Sequence, residues 1–320
     1  MMRRSTLAVT VLALIAVGAA VFGFAYRHRQ PPVAFLAENI PVTVPTPPRF
    51  KFSFFGSPEA PLKYPMAVAS DRDNIFVADS DNARVQVFDR DGRPVRVIGQ
   101  KGDKPGQFSR PYGVAVDGNT LYVADLGTGH ISVFSRDGKF ERYLEPQGLA
   151  LVRPGQLAFA GGKLYVTDLG RMKIYVLSPD GQVQLQLGGE GQQAGQFKYP
   201  NAVAVDASGQ IYVADSGNAR VQVFSADGRY KQTIGARESE VGPIITARGI
   251  AVDKRGLVYV VSGMTNTVQV YDPKGELLFK VGAAGNGNGE LSLPNGLSLD
   301  PDGRLLVSEV GNNRVSVFSR

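Results

Sequence analysis

The sequence predicts an all-β fold, a six-bladed β-propeller with four short antiparallel strands in each blade. The first observation is a repeated phrase, since VADSDNARVQVF at 77–88 returns as VADSGNARVQVF at 213–224. The second is that related phrases fill the chain between and beyond these two, at spacings of 43 to 47 residues. The third is a strand-like segment, 49–56, that can complete the last repeat. Periods of this length are typical of propeller blades.

Six copies of the phrase define the blades. In each copy an aliphatic strand ends in a polar residue, a turn follows, and a second strand ends in an aromatic or aliphatic residue. The polar residues that close the aliphatic strands are Asp79, Asp125, Asp168, Asp215, Ser262 and Glu309. Their number predicts six blades.

Each unit contains two further strands. A small aliphatic strand comes first, as in 202–205, and small side chains suit strands that converge on the axis of a ring. A turn such as Asp91-Gly92 leads to the fourth strand, because glycine adopts the positive φ of a tight hairpin. The fourth strand itself ends in glycine, as at Gly99. Each unit is therefore read as a complete four-stranded blade.

The last unit lacks its outer strand, because the chain ends at Arg320 after the third strand. The segment RFKFSFFG at 49–56 alternates like a strand and ends in glycine as the fourth strands do. We expect it to pair with the last blade, which closes the ring and leaves no exposed edge at the seam.

The chain before the propeller carries a long apolar run. A short basic N-terminus, residues 1–5, precedes residues 6–26, which contain no charged residue. About twenty apolar residues are enough for a helix to cross a membrane. This predicts a single transmembrane anchor, and a cleaved signal peptide is the competing interpretation. Arg3 and Arg4 favour a cytoplasmic N-terminus, although the basic residues just after the run weaken that orientation.

Residues 27–48 are rich in proline, which favours an extended linker between the anchor and the propeller of residues 49–320. The predicted location of the propeller is therefore extracytoplasmic, periplasmic or at the cell surface of a bacterium. A cleaved segment would instead give a secreted protein.

Composition excludes some classes of function. The chain has no cysteine, so it has neither disulfides nor thiolate chemistry. Its formal net charge is +6, of which residues 1–48 carry four basic residues against one acidic. Residues 49–320 hold the remaining 31 basic and 28 acidic residues. This near balance disfavours a nucleic-acid partner.

The blocks PNAVAVDASGQIYVADSGNARVQVFSADG at 200–228 and PYGVAVD with LYVAD at 111–125 resemble NHL repeats. The resemblance covers about residues 49–320, is strongest in repeats one and four, and implies a six-bladed propeller. Such domains are mostly binding modules, for protein or RNA in animal proteins and as extracellular sensors of bacterial membrane kinases. A minority are enzymes, notably the peptidyl-α-hydroxyglycine α-amidating lyases. The resemblance therefore specifies the fold much more closely than the function.

A basic residue follows the polar marker five positions later in five of the repeats. The pairs are Asp79/Arg84, Asp125/His130, Asp168/Lys173, Asp215/Arg220 and Glu309/Arg314, and repeat five has Ser262/Thr267 instead. Loss of both charges together is what a direct ion pair within one blade predicts, because a buried charge left alone is costly. We interpret these pairs as structural, and the alternative of a catalytic dyad repeated around the ring is disfavoured.

Two enzyme interpretations lose support on the residues available. His130 is the one histidine in the propeller, whereas the amidating lyases need several around a zinc ion. Lactonase-type propellers bind calcium in the tunnel through carboxylate and amide oxygens. The residues expected to line the tunnel entrance here contain no carboxylate: Met66, Tyr112, Gly155, Asn201, Arg248 and Asn295. No metal and no cofactor are predicted.

That ring is the candidate small-ligand site. Tyr112, Asn201, Arg248 and Asn295 could converge on a polar or anionic group in the tunnel. The alternative is that they only cap the tunnel and hold water.

Two blade-connecting loops, 145–154 and 235–248, depart from the usual glycine-rich pattern. They add apolar residues that either form a partner patch on the upper face or pack into the grooves between blades. These residues are Leu149, Leu151, Val241, Ile244 and Ile245.

The sequence therefore favours a membrane-tethered, extracytoplasmic platform that binds a protein or peptide without catalysis. A tunnel-site enzyme, lyase or hydrolase, or a small-molecule sensor is the alternative. The sequence identifies neither the partner nor the oligomeric state.

Overall fold

Six four-stranded antiparallel sheets follow one another along the chain of a computed structural model, which describes residues 45–236 and 243–319. Each of the first five sheets takes its strands in chain order. The strands of the first three blades are β4 (Pro65–Ser70), β5 (Asn74–Asp79), β6 (Arg84–Asp89) and β7 (Pro94–Ile98); β8 (Pro111–Asp117), β9 (Thr120–Asp125), β10 (Ile131–Ser135) and β11 (Phe140–Tyr143); and β12 (Pro154–Ala160), β13 (Lys163–Asp168), β14 (Lys173–Leu177) and β15 (Val183–Gly188).

The remaining blades repeat the pattern. Their strands are β16 (Pro200–Val205), β17 (Ile211–Asp215), β18 (Arg220–Phe224) and β19 (Tyr230–Ile234); β20 (Ala247–Val252), β21 (Val258–Ser262), β22 (Thr267–Tyr271) and β23 (Leu277–Val281); and β24 (Pro294–Leu299), β25 (Leu305–Glu309) and β26 (Arg314–Ser319) with β1 (Arg49–Phe54). The predicted all-β, six-bladed propeller is confirmed.

The sixth blade closes the ring as the sequence predicts. β1 pairs antiparallel with β26, with Arg49 opposite Ser319 and Phe54 opposite Val315. The predicted segment extended to Gly56, but that glycine instead begins a small hairpin of β2 (Gly56–Ser57) and β3 (Ala60–Pro61). The outer strand of the last blade thus comes from the start of the propeller, so the seam has no free edge.

Three short 3-10 helices follow the second strands of blades one, four and five: η1 (Ser80–Asn82), η2 (Ser216–Asn218) and η3 (Gly263–Thr265). Each is followed by a residue in the left-handed conformation, Ala83, Ala219 or Asn266. That residue reverses the chain into the third strand of the blade.

Strand register defines two faces of the propeller. Pro65 lies opposite Asp79, and Asp79 lies opposite Arg84, so the inner strand begins beside the turn between the second and third strands. We call this the upper face. The turns between first and second strands and between third and fourth strands lie on the lower face. Since Arg49 pairs with Ser319 at the lower end of β26, the chain enters the propeller from below.

The hydrophobic core lies between neighbouring blades, as packed layers of Val, Ile, Leu and aromatic side chains. The glycines that end the fourth strands fit this packing. A Cβ on Gly99 would come within 2.3 Å of the Phe108 ring, and one on Gly188 equally close to Phe197. Both phenylalanines are fully buried, which explains the GQF sequence in these connecting loops.

No helix in residues 45–236 and 243–319 is long and apolar enough to span a membrane. The predicted anchor, residues 6–26, lies outside the described residues, as do residues 1–5 and most of the 27–48 linker.

Candidate functional site at the upper mouth of the propeller

The residues predicted to line the tunnel entrance sit in β-bulges. In every blade the pairing of the inner strand shifts just after its first residue, for example between Pro65 and Ala67 and between Pro200 and Ala202. One or two residues of the inner strand therefore have no partner in the pairing. Such a bulge changes the direction in which their side chains point. Tyr112 and Asn201 are placed in this way.

We define the upper mouth as the segments that open the inner strands together with the turns after the second strands. Its residues are 63–66, 80–83, 109–112, 126–129, 152–156, 169–172, 198–201, 216–219, 245–249, 263–266, 292–296 and 310–313.

One hydrogen bond of the mouth joins blades two and four. The Tyr112 hydroxyl donates to Asn201 Oδ1 at 2.7 Å. Asn201 is only 3% exposed, and its Nδ2 has no hydrogen-bond partner. An unsatisfied buried donor costs roughly 1–3 kcal/mol, and an acceptor that reached this amide would remove that cost.

Arg248 from blade five reaches the same place. It lines the same cavity as Tyr112 and Asn201. Burial raises the pKa of the Tyr112 phenol, and the nearby Arg248 and Asn201 oppose the rise. The half-buried guanidinium lines a cavity of about 460 Å³ and a smaller one of about 160 Å³. No ion pair joins it to an acid in the described part of the chain. Among the described residues, the cavity therefore holds a cation without an acidic partner.

Asn295 has a different role from its predicted partners. Its Nδ2 donates to the Met66 carbonyl at 2.7 Å, and Gln156 Nε2 donates to the same oxygen at 3.1 Å. These two bonds link blades six and three to blade one. Tyr112, Asn201 and Arg248 thus come together, whereas Asn295 uses its amide donor to fix the ring. The remaining ring position, Gly155, has no side chain.

Charge is unevenly distributed over the propeller. The upper mouth contains one acid, Asp81, against six cations: Lys63, Arg110, Arg153, Arg171, Lys198 and Arg248. Of these cations, within the described residues, Arg171 alone approaches an acid, at 3.9 Å from Asp168. The overall balance of residues 49–320 conceals this basic surface, which attracts anionic groups.

Large apolar side chains are exposed around the same mouth: Tyr64, Val152, Tyr199, Ile245, Met264 and Leu293. Tyr64, Tyr199 and Leu293 each precede a proline and have φ of 58°, 53° and 45°. Left-handed backbone at a bulky residue is strained, and such strain clusters at binding sites.

The predicted ion pairs form in blades one, four and six. The Nε–oxygen distances are 2.7 Å for Arg84–Asp79, 2.9 Å for Arg220–Asp215 and 2.8 Å for Arg314–Glu309. All three acids are fully buried. Each also accepts a backbone N–H, from Lys63, Lys198 and Ser292. The acid therefore ties the inner-strand approach to the second strand, and the arginine neutralises it.

Blades two and three differ from the predicted pairing. Asp125 and Asp168 each accept four backbone N–H groups and are satisfied in that way. Lys173 Nζ points to Gln186 Oε1 at 3.5 Å, and no ion pair joins it to Asp168 among the described residues. His130 stacks on the Tyr143 ring at 4.5 Å.

The loop residues proposed as a partner patch separate into three groups. Ile244 is fully buried in the core between blades four and five and offers no surface to a partner. Leu149 and Leu151 are half-buried against the core between blades two and three. Ile245 is exposed and lines the larger cavity. Residues 237–242 of the second loop lie outside the described residues.

Below the mouth, the inner strands enclose a channel of about 250 Å³ lined mainly by Ala, Val and Leu from all six blades. The described residues contain no group of three or more His, Asp or Glu that could hold a metal ion. The side chains of the channel wall are therefore mainly apolar.

Sequence reasoning missed several residues of the mouth. Gln156 was missed because the bulge of β12 extends to Leu157, so two residues are skipped there. Arg153, Tyr199 and Met264 line the larger cavity from connecting segments. A possible signal for Tyr199 was its position before an inner-strand proline, shared with Tyr64 and Leu293.

Comparisons with known proteins agree on the fold. Residues 197–224 and 291–318 match the NHL repeat, and residues 57–145 match a family described as a 6-bladed beta-propeller. The chain therefore carries NHL repeats within a six-bladed propeller. No protein of curated function matches the chain in sequence.

Solved structures provide similar folds at low identity. A gluconolactonase from Xanthomonas campestris has a TM-score of 0.61 and 19% identity, covering 86% of this chain and 95% of that one. A streptogramin B lyase has a TM-score of 0.57 and 11% identity, with coverage of 85% and 98%. A chain of a nidogen/laminin complex has a TM-score of 0.56 and 22% identity, with coverage of 69% and 80%. These likenesses concern the fold alone.

Proposed function

We propose that this propeller is a non-catalytic platform that binds a protein or peptide at its upper mouth. The observation that carries the proposal is the coincidence there of strained, exposed apolar side chains with Arg248, which pairs with no acid among the described residues. Exposed apolar groups on a rigid scaffold, mixed with arginine and tyrosine, have the composition of protein-binding surfaces.

The chemistry of the mouth supports binding over catalysis. General acid–base or nucleophilic catalysis needs a titratable group positioned on the substrate. The described residues that line the larger cavity include no histidine or carboxylate, and the buried Tyr112 hydroxyl already donates to Asn201. The buried acids of the blades are occupied by arginine and backbone donors.

Site-directed photocrosslinking in cells that produce the full chain tests the platform. A photoreactive residue replaces Met264 or Leu293 at the mouth, or Val97 on an outer strand as the control; Met264 is 72% and Val97 49% exposed. We expect the same partner from both mouth positions and not from Val97. That partner, once purified, should bind the purified chain saturably. Lack of capture at the mouth, or capture without saturable binding, contradicts the proposal.

A small-ligand function, as an enzyme or a sensor, is the second candidate. It is favoured by the larger cavity, about 460 Å³, which falls in the size range of small-molecule sites. A thermal-shift screen of metabolites distinguishes it, since a ligand at a hundred times its Kd adds about 2.7 kcal/mol of stability. Turnover of such a ligand would replace the platform proposal.

We further propose that residues 6–26 tether the propeller outside the cytoplasm. The support is the uncharged apolar run. The first propeller strand begins at the lower face, with Arg49 opposite Ser319. A phosphatase fused after residue 320, active only after export, tests the location. The mass of the mature protein separates a retained anchor from a cleaved signal. An inactive fusion contradicts export.

A further inference from the structure

We infer that the upper mouth recognises a carboxylate on the bound peptide, held by Arg248 and Asn201. This inference deepens the platform function proposed above and rests on it. The occupant is an acidic segment of a protein partner: one carboxylate enters the larger cavity, and its apolar neighbours contact the rim.

The two binding groups are already oriented by Tyr112. Its hydroxyl donates to Asn201 Oδ1, which fixes the amide so that Nδ2 is the atom left without a partner. Arg248 lines the same cavity, and its positive charge acts on the same hydroxyl. A guanidinium beside an amide N–H matches the two oxygens of a carboxylate, and charged hydrogen bonds of this kind are strong.

The walls of the cavity explain why binding of a carboxylate would stabilise the protein relative to its unbound state. Leu126, Leu169 and Ile245 line it together with Arg248, and no acid lines it among the described residues. In such surroundings an unpaired charge and an unpaired amide are both costly, and one carboxylate satisfies both.

The rim indicates a peptide as the source of the carboxylate. Tyr199, Ile245 and Met264 are exposed and line the same cavity as Arg248. Apolar side chains next to the acid of a peptide can contact them. The basic rim residues Lys63, Arg153 and Lys198 add attraction for an acidic chain. A nucleic acid would use the same cations but gain little from aliphatic side chains.

Phage-displayed peptides selected on the purified full chain provide the test. We expect enriched peptides to share an acidic residue flanked by apolar ones. A synthetic copy of one should bind roughly tenfold or more weakly to Arg248→Gln and to Asn201→Asp. The lower-face variant Arg255→Gln should bind like wild type, because Arg255 pairs with Asp253 away from the mouth. Unchanged thermal unfolding shows that each variant is folded.

The possible failures are distinct. Peptides that bind without an acid, and equally well to Arg248→Gln, overturn the carboxylate inference and leave the platform standing. If no peptide is enriched at all, the result contradicts both the carboxylate inference and the proposed platform function. Tighter binding of an RNA homopolymer than of any peptide, lost in Arg248→Gln, overturns the inference in favour of phosphate.

Discussion

The Tyr64 backbone N–H donates to Asn313 Oδ1 at 2.8 Å, and both residues have left-handed backbone, with φ of 58° and 50°. Asn313 follows the second-strand turn of blade six, and Tyr64 precedes the inner strand of blade one. The same relation joins Asn266 to Leu293, at 2.7 Å. In this way the turn of one blade holds the strained residue that the next blade exposes at the mouth.

Replacement of Asn313 tests this relation. Asn313→Ala loses both the hydrogen bond and the tolerance of asparagine for left-handed backbone, so we expect a loss of about 1–3 kcal/mol in the free energy of unfolding. Asn313→Gly loses only the bond and should cost less. Chemical denaturation measures both. Equal stability of the alanine and glycine variants would show that backbone strain plays no part.

The buried ion pairs predict a large coupling energy between the acid and the arginine of one blade. Arg220 Nε lies 2.9 Å from Asp215 Oδ2, and the acid is fully buried. A double-mutant cycle with Asp215→Asn and Arg220→Gln should give a coupling of about 1–3 kcal/mol. The exposed pair Asp227–Arg229 is the control and should show no measurable coupling. Similar results for the two pairs would contradict a stabilising role for burial.

Of the five pairs predicted from the sequence, ion pairs form only where arginine is the base. Arg84, Arg220 and Arg314 reach the acid, whereas Lys173 does not. A five-residue spacing establishes that two residues face each other across a turn, as Asp168 and Lys173 do in register. It does not reveal that loop N–H groups already satisfy the acid.

The architecture was predictable because strand pattern and closure are local signals in a repeat. The mouth was predictable only in part. Tyr112, Asn201 and Arg248 were found as equivalent positions of the repeat, and the structure brings them together. The basic surface arises from residues dispersed along the chain, such as Lys63 and Arg153, which only the closed ring places on one face.

The closure strand predicts losses of very different size for two adjacent phenylalanines. Phe54 is 6% exposed and packs on Phe88 with ring centroids 4.6 Å apart, whereas Phe55 is 50% exposed. Phe54→Ala should cost about 3–5 kcal/mol of stability, because it leaves a cavity where the ring closes. Phe55→Ala is the matched control and should cost about 1 kcal/mol or less. Equal losses would contradict closure through β1.

Alanine substitutions at two glycines distinguish the cost of a steric clash from the cost of backbone strain. Gly188 has φ of 93° and a Cβ there would meet Phe197, whereas Gly195 has φ of 81° and open space around it. Gly195→Ala should cost about 1–3 kcal/mol through backbone strain alone. Gly188→Ala should cost more, because Phe197 must also move. Thermal unfolding compares the two variants. Equal shifts in Tm would mean that Phe197 moves aside without a measurable loss of stability.

Tyr112 predicts a loss of stability in alkali. Burial raises the pKa of its phenol above the usual value of about 10, despite the nearby Arg248. Above pH 10 the unfolded chain loses this proton while the folded chain keeps it, so stability falls as pH rises. The decline should amount to about 1.4 kcal/mol per pH unit for this one group. Tyr112→Phe should therefore lose stability less steeply than wild type above pH 10, and in parallel with it between pH 7 and 9. Denaturant midpoints measured across this range provide the comparison, and equal slopes above pH 10 would mean that the phenol ionises freely in the folded protein.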